Sequence, residues 1–172
     1  MYQPGELIVY GRMGVCRVER VDRRDGQDFY VLTPLYQSCD IYAPVNGKIF
    51  MRPIISRQEA NALIDGIPAY ASEACEGLPL RELTEHYQAA IATHDCKDLF
   101  EMTMSIYTKK RTAERDKKKF GAVDERFMKE GEALLFGELA AALEIPVEEV
   151  KGYISQRLTQ AAGGKIKPAV EV

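Results

Sequence analysis

The sequence predicts an α+β protein, in which a small bent β-sheet or SH3-like (Tudor-like) barrel is followed by an all-α helical domain. Two turn signals, Asp25-Gly26 and Asn46-Gly47, interrupt β-forming runs within the first 55 residues. A capping box at Ser56-Arg57-Gln58-Glu59 follows, and beyond it the apolar residues recur at helical spacing. Because strand and helix signals occupy separate parts of the chain, the pattern favours α+β over a parallel α/β sheet.

The strand predictions rest on short runs of β-branched and aromatic residues between turns. The runs are Leu7–Tyr10, Val15–Val18, Phe29–Leu32, Asp40–Val45 and Lys48–Met51. Pro44 has no N–H to donate to a ladder, which predicts that its segment lies at a sheet edge or a strand end. A free edge is a place where a partner protein can add a strand.

Helix signals dominate after Ser56. A short helix is predicted to end at Gly66 and Pro68, and Asp95 is a candidate cap for a later one. Further helices are predicted at Leu80–Ala92, from Asp95 through Ile106 and on toward the basic stretch, at Val123–Leu143, and from Pro146 to Gly163. The predicted organisation is therefore a β-rich module at 1–56, a helical domain at 57–164 and a tail at 165–172, with 67–79 as the linker candidate.

Charge is concentrated in one place. The stretch Lys109–Lys119 holds seven basic and two acidic residues, a net charge of +5, so the rest of this −3 chain carries −8. A basic stretch of this kind can hold a phosphate backbone locally, but it is also the usual composition of a solvated helix face. Composition alone leaves both interpretations open.

Several classes of protein are not supported. No apolar stretch approaches the roughly 20 residues that span a bilayer, and the first residues lack the pattern of a signal peptide. The cysteines are widely spaced without a CxxC pair: Cys16, Cys39, Cys75 and Cys96. With two histidines, His86 and His94, and no phosphate loop, we expect a non-enzyme without metal or cofactor, located in the reducing cytoplasm.

The opening of the chain resembles the CarD/CdnL family of bacterial transcription regulators. It is similar as well to the polymerase-interacting domain of the transcription-repair coupling factor. The matching pieces are Pro4–Gly11, Gly14–Val18, Tyr30–Leu32, Ile41–Val45 and Met51–Ile55. In the second half the matching pieces are Tyr87–Phe100 and Ala133–Ala140, which includes a Gly-Glu-Leu-Ala run. The resemblance covers roughly 2–158, with extra residues near 108–120.

The resemblance implies a division of labour. The N-terminal module would bind the β1 lobe of the RNA polymerase β subunit, with contacts near Arg24 and on the strand Ile41-Tyr42-Ala43. Tyr42 stands where family members often have arginine. The helical domain would meet promoter DNA upstream of the −10 element and bias the promoter toward the open complex, which implies a cytoplasmic, nucleoid-associated regulator without a cofactor.

The DNA-facing residues are the point at which the chain departs from the family. Family members often insert a tryptophan into the minor groove, but this chain has none, and the aligned position is near Leu80, beside Arg81. Leucine is also a known minor-groove wedge. Phosphate contacts are expected from Lys109, Lys110, Arg111, Lys117, Lys118 and Lys119.

Two alternatives remain. Leu80 could instead pack inward at a helix start, and the lysines could coat a solvated helix. The protein as a whole could be a polymerase-binding adaptor whose helical domain binds another protein and not DNA.

Overall fold

The structure, a computed structural model, describes residues 1–70 and 77–163. Its N-terminal part is one antiparallel sheet of five strands in the order β4-β3-β2-β1-β5. The strands are β1 Leu7–Tyr10, β2 Val15–Arg24, β3 Gln27–Pro34, β4 Ile41–Pro44 and β5 Met51–Pro53. The predicted α+β class is therefore confirmed, with β4 at one edge of the sheet as Pro44 indicated. The predicted tail and Cys75 lie outside the described residues.

The first of the two predicted turns joins neighbouring strands directly, whereas the second does not. Asp25 (φ 49°) and Gly26 (φ 78°) both adopt the left-handed region and join β2 to β3 as a two-residue hairpin. At the second turn, the Gly47 N–H donates to the Pro44 carbonyl at 2.9 Å. The strand expected at Lys48–Met51 starts only at Met51, because the chain must first cross from β4 to the far edge, where β5 pairs with β1.

A β-bulge at Glu19 determines which side chains of β2 face outward. Val18 pairs with Leu32, but Arg20 pairs with Val31, so one residue of β2 is left over. Strict alternation would have directed Arg20 toward the core that Val18 faces. The bulge directs it to the opposite face. The sheet core is formed by Ile8, Tyr10, Cys16, Val18, Tyr30, Leu32 and Ala43.

Six α-helices follow Ser56 in the described part of the chain. They are α1 Arg57–Asp65, α2 Ile67–Tyr70, α3 Leu80–Ala92, α4 Cys96–Arg115, α5 Ala122–Leu143 and α6 Val150–Ala161. The capping box is present: Ser56 Oγ accepts from the Glu59 N–H at 3.2 Å, and Glu59 Oε2 accepts from the Ser56 N–H at 2.7 Å. Asp95 caps α4 by accepting from the Lys97 N–H at 2.7 Å. Before Ser56, the described chain has only a three-residue 3₁₀ turn at Gly11–Met13 as helical structure.

The helices have a hydrophobic core of their own. Its largest fully buried side chains include Tyr87, Phe100, Phe127, Leu135 and Leu139. Ile55, at the end of the strand region, packs against this helical core. The predicted domain limits remain a prediction, but the apolar residues do separate into two clusters on either side of this point. No helix of the described part is long and apolar enough to cross a membrane.

The sheet packs against helix α5. Gly14 of the β1–β2 connection lies next to Leu134, and the Tyr36 hydroxyl donates to the Gly137 carbonyl at 2.9 Å. A Cβ at Gly137 would lie 2.9 Å from Tyr36 Cε2. The glycine therefore lets the aromatic ring lie directly on the helix where the two parts meet.

Candidate functional site

One face of the sheet carries a charged and aromatic group of side chains from β2 and the edge strand β4, which we call the edge-strand cluster: Arg20, Asp22, Arg24 and Tyr42. The Arg24 guanidinium lies 4.0 Å from the centre of the Tyr42 ring, a cation–π contact. Asp22 lies between the two arginines, 2.9 Å from Arg20 Nε and 3.9 Å from Arg24 Nη2. The structure thus brings together Arg24 and Tyr42, which the sequence resemblance had singled out on separate strands.

The cluster faces solvent. Tyr42 is 43% exposed, and more than half of the side-chain surface of Arg20 and of Arg24 is accessible. Hydrogen bonding to Asp22 raises the pKa of Arg20, so the group keeps two guanidinium charges around one carboxylate. Such a surface is suited to a partner with carboxylates or carbonyl oxygens.

Ile41 and Ala43 contribute differently from Tyr42. Ala43 is fully buried in the sheet core and Ile41 packs against that core, so neither presents a free side chain. Beyond Tyr42, the strand can offer its free outer side, because β4 pairs with β3 alone in the described part of the chain. The sequence did not point to Arg20 or Asp22, since their orientation depends on the bulge, which no local signal marks.

Leu80 is the first residue of α3 and is 67% exposed. Leu83, Tyr87 and Ile91 continue the same helix face and are buried. The apolar stripe of α3 therefore runs one residue beyond the helical core. The alternative in which Leu80 packs inward is not what the structure has. Arg81 beside it has 90% of its side-chain surface exposed and pairs with Glu85 at 2.9 Å.

Most of the basic stretch lies on the surface at the end of α4. Arg111 and Lys117–Lys119 are exposed and Lys110 is partly exposed. Helix α4 ends at Arg115, and Lys117 adopts φ 52°, which reverses the chain so that the Lys118 N–H donates to the Ala113 carbonyl at 2.8 Å. The three consecutive lysines thus occupy a turn and do not form one face of a continuous helix.

Lys109 has a different environment from the other basic residues. Its ammonium lies 2.7 Å from Asp124 Oδ1 and 3.4 Å from the Tyr87 hydroxyl, and only 17% of its side-chain surface is exposed. It follows Met102 and Ile106 on the face of α4 that meets the helical core. This position corrects the expectation that Lys109 touches phosphate, because its charge is already paired inside the domain.

The thiols that the structure buries have little reactive character. Burial raises the pKa of Cys16 to about 11 and also raises that of Cys96, so both are neutral at physiological pH. Within the described residues there is no group of three histidine, cysteine, aspartate or glutamate side chains that could hold a metal ion.

The comparison with protein families finds a match to the sheet. Residues 2–55 match the model of a family described as the CarD-like/TRCF RID domain, and this range ends where the sheet ends. No curated protein matches the chain. The five-stranded sheet, residues 2–55, is therefore similar to the CarD-like/TRCF RID domain, which belongs to a family of polymerase-interacting domains.

Proposed function

We propose that this protein is a transcription regulator that binds RNA polymerase through its sheet and promoter DNA through its helical domain. The observation that carries the proposal is the match of residues 2–55 to the CarD-like/TRCF RID domain, in a sheet that exposes Tyr42 on its edge strand and Arg24 on β2. The polymerase contact is proposed at the β1 lobe of the β subunit, and the DNA contact upstream of the −10 element. No catalytic step is part of the proposal, and the protein would act in the cytoplasm at the nucleoid.

The polymerase contact would combine backbone and side chains. The outer side of β4 can add a partner strand through its N–H and C=O groups, while the edge-strand cluster selects which strand fits. Since Ala43 is buried, its side chain takes no part in recognition. Tyr42, which is exposed and stacked on Arg24, would supply specificity.

The test of this half is a charge placed on the edge strand. Tyr42→Glu would put a carboxylate beside the bound partner and disrupt the stacking on Arg24, so binding to the isolated β subunit should weaken. Ile49→Glu is the matched control, because Ile49 is 53% exposed in the same module but lies outside β4. Equal affinity of both variants and the wild type for the β subunit would contradict the placement of the contact.

The DNA contact would use the exposed end of α3 and the turn after α4. Leu80 continues a buried apolar stripe into solvent, which is the arrangement of a side chain that can enter between base steps. Arg81 would reach the backbone beside it, and Lys110, Arg111 and Lys117–Lys119 would neutralise phosphates. A protein that contacts phosphates releases counterions, with a slope of about −0.9 in log affinity against log salt for each phosphate.

Two variants separate these roles. Replacing Lys117, Lys118 and Lys119 with alanine should make the slope of log affinity against log salt less negative by about 2.7. A slope of this size corresponds to a roughly 40-fold loss of affinity for a fourfold rise in salt, and the variant should no longer show that loss. Lys48→Ala, an exposed lysine of the sheet module, should leave the slope unchanged. Leu80→Ala should keep the slope and shorten the lifetime of the open complex. A triple variant with the wild-type slope would refute the phosphate contacts.

A second candidate function is a polymerase-binding adaptor whose helical domain binds another protein. The net charge of −8 outside the basic stretch and the absence of tryptophan favour it. In that case Leu80 would contact a protein surface. A nonspecific duplex-DNA binding assay at low salt distinguishes the two functions, because the adaptor would show no salt-dependent binding.

A further inference from the structure

We infer that Arg52 and Glu138 are positioning residues that lock the sheet and the helical domain into one rigid body, so that two partners bind at a fixed spacing. The inference rests on the proposed function for what is bound, but the lock itself is argued from the contacts between the two parts.

Glu138 is an acidic residue in an otherwise apolar environment. It lies on α5 within the helical core, and only 3% of its side-chain surface is exposed. A buried carboxylate is unfavourable unless it is paired and its lone pairs are satisfied. Most of its partners come from the sheet side of the molecule: Arg52 Nη2 donates to Oε2 at 2.8 Å, Arg52 Nη1 donates to Oε1, and the Ile55 N–H donates to Oε1 at 3.0 Å. The Cys96 thiol of α4 is a further hydrogen-bond partner.

Arg52 extends the network to a third element. It lies on β5, and its Nε donates to the His94 carbonyl at 2.7 Å, in the corner between α3 and α4. One guanidinium therefore joins the edge of the sheet to α5 and to the start of α4. Lysine could not reproduce this, because it lacks the planar fork and the separate Nε donor. The Phe50 ring, just before β5, stacks on the His94 ring with centroids 4.9 Å apart.

The other ion pair across this junction is of a different kind. Arg12 also pairs with Glu130, but 58% of the Arg12 side-chain surface is exposed, and such exposed pairs contribute little. The buried Arg52–Glu138 pair is the one whose loss leaves a charge uncompensated, so it is the contact that selects one arrangement of the two parts. The edge-strand cluster and Leu80 then keep a fixed separation.

The test measures the distance between one labelled position in the sheet part and one in the helical domain of the full chain. Spin labels would be placed on the exposed Cys39 and on Lys117→Cys in a Cys75→Ser background, in which Cys16 and Cys96 are buried and escape labelling. The wild type should give one narrow distance distribution. Glu138→Gln and Arg52→Lys should lose that single narrow distance while circular dichroism shows an intact fold.

Asp65→Asn is the matched control. Arg157 holds Asp65 in a similar fork, at 2.7 and 2.9 Å, but both residues lie within the helical domain. Breaking that fork should leave the distance distribution narrow. If Glu138→Gln and Arg52→Lys also keep the narrow distribution, the inference is overturned.

A binding measurement connects the Arg52–Glu138 pair to function, and it distinguishes a failure of the proposed function from a failure of the positioning role. Affinities for the isolated β subunit and for DNA alone should be unchanged in Glu138→Gln, whereas affinity for an assembled polymerase–promoter complex should fall roughly tenfold or more, because two contacts on a loosened body lose effective concentration. If the distance distribution broadens in Glu138→Gln but the wild type binds neither the β subunit nor DNA, the proposed function is refuted, while the structural role of the Arg52–Glu138 pair stands. Normal binary affinities with an unchanged affinity for the assembled complex would overturn the positioning role.

Discussion

Lys109→Met separates a structural lysine from the DNA-facing ones, because methionine keeps an apolar stem of similar length and removes the ammonium. In the folded protein the Lys109 ammonium, the Asp124 carboxylate and the Tyr87 hydroxyl form an internal polar triad that joins α4, α5 and α3. Asp124 Oδ1 accepts from Tyr87 at 2.6 Å and from Lys109 at 2.7 Å. The variant leaves that carboxylate, with 11% of its side-chain surface exposed, without a cation.

The expected loss of stability follows from burial. Removing one partner of a buried ion pair lowers the free energy of unfolding by about 3 to 5 kcal/mol, and the residual exposure of Lys109 places this variant near the lower end. Tyr87→Phe removes the hydroxyl that donates to Asp124 and accepts from Lys109, and it should lower the free energy of unfolding by about 2 kcal/mol. Lys118→Met, on the exposed turn after α4, should change it by no more than about 0.5 kcal/mol.

Urea denaturation measures these differences, and a salt titration of DNA binding measures the other half of the prediction. Lys109→Met should keep the wild-type salt slope under conditions in which it is folded, because its charge does not meet phosphate. A Lys109→Met protein with wild-type stability and a slope flattened by about 0.9 would refute the internal triad and restore Lys109 to the DNA surface.

Two further perturbations test the packing of the sheet. Gly137→Ala should lower the thermal midpoint by the equivalent of about 1 to 3 kcal/mol although alanine is the better helix former, because its Cβ would lie 2.9 Å from Tyr36 Cε2, and a midpoint raised above the wild type would contradict this. Burial raises the pKa of Cys16 from 9 to about 11. The folded state therefore favours the neutral thiol, and this contribution to the free energy of unfolding is complete below pH 9. It amounts to roughly 2 to 3 kcal/mol and is lost as the pH rises from 9 to 11. The stability difference between wild type and Cys16→Ala should shrink over this range in denaturation curves, and a constant difference would show that the thiol titrates normally.

The features that the sequence predicted correctly are those decided by neighbouring residues. Asp25-Gly26 forms its hairpin because both residues accept positive φ, and Ser56 and Asp95 cap helices because their oxygens reach N–H groups within three residues. Helix α3 has its predicted bounds, Leu80–Ala92, for a similar reason: a proline precedes it and its apolar residues follow one face.

The features that could not be predicted depend on contacts between distant segments. The place of β5 beside β1 and the bulge at Glu19 are set by pairing across the sheet, which leaves no trace in the local pattern. Lys109 looked like any other residue of a basic run, and only its partner Asp124, fifteen residues away on another helix, shows that it points inward. Glu138 is part of the family-like Gly-Glu-Leu-Ala run, but no local pattern indicates its pairing with Arg52, which is 86 residues away.

The internal pairing of Lys109 also limits how strongly this protein can depend on salt. Of the residues expected at phosphates, Lys110, Arg111 and Lys117–Lys119 remain as candidates, and Arg81 adds one more near Leu80, whereas Arg115 of the same stretch pairs with Asp116. Six cations at about −0.9 each limit the slope of log affinity against log salt to about −5.4.

A measured slope for the full chain on nonspecific duplex DNA should therefore lie between zero and this limit. A steeper slope would require cations beyond these six, either from the helical domain, such as Arg115 and Lys129, or from the exposed arginines of β2. The arginines of β2 include Arg20 and Arg24 of the edge-strand cluster. If replacing Arg20 and Arg24 with alanine flattened the slope, the sheet would meet DNA, and the division of labour in which the edge-strand cluster is reserved for polymerase would be refuted.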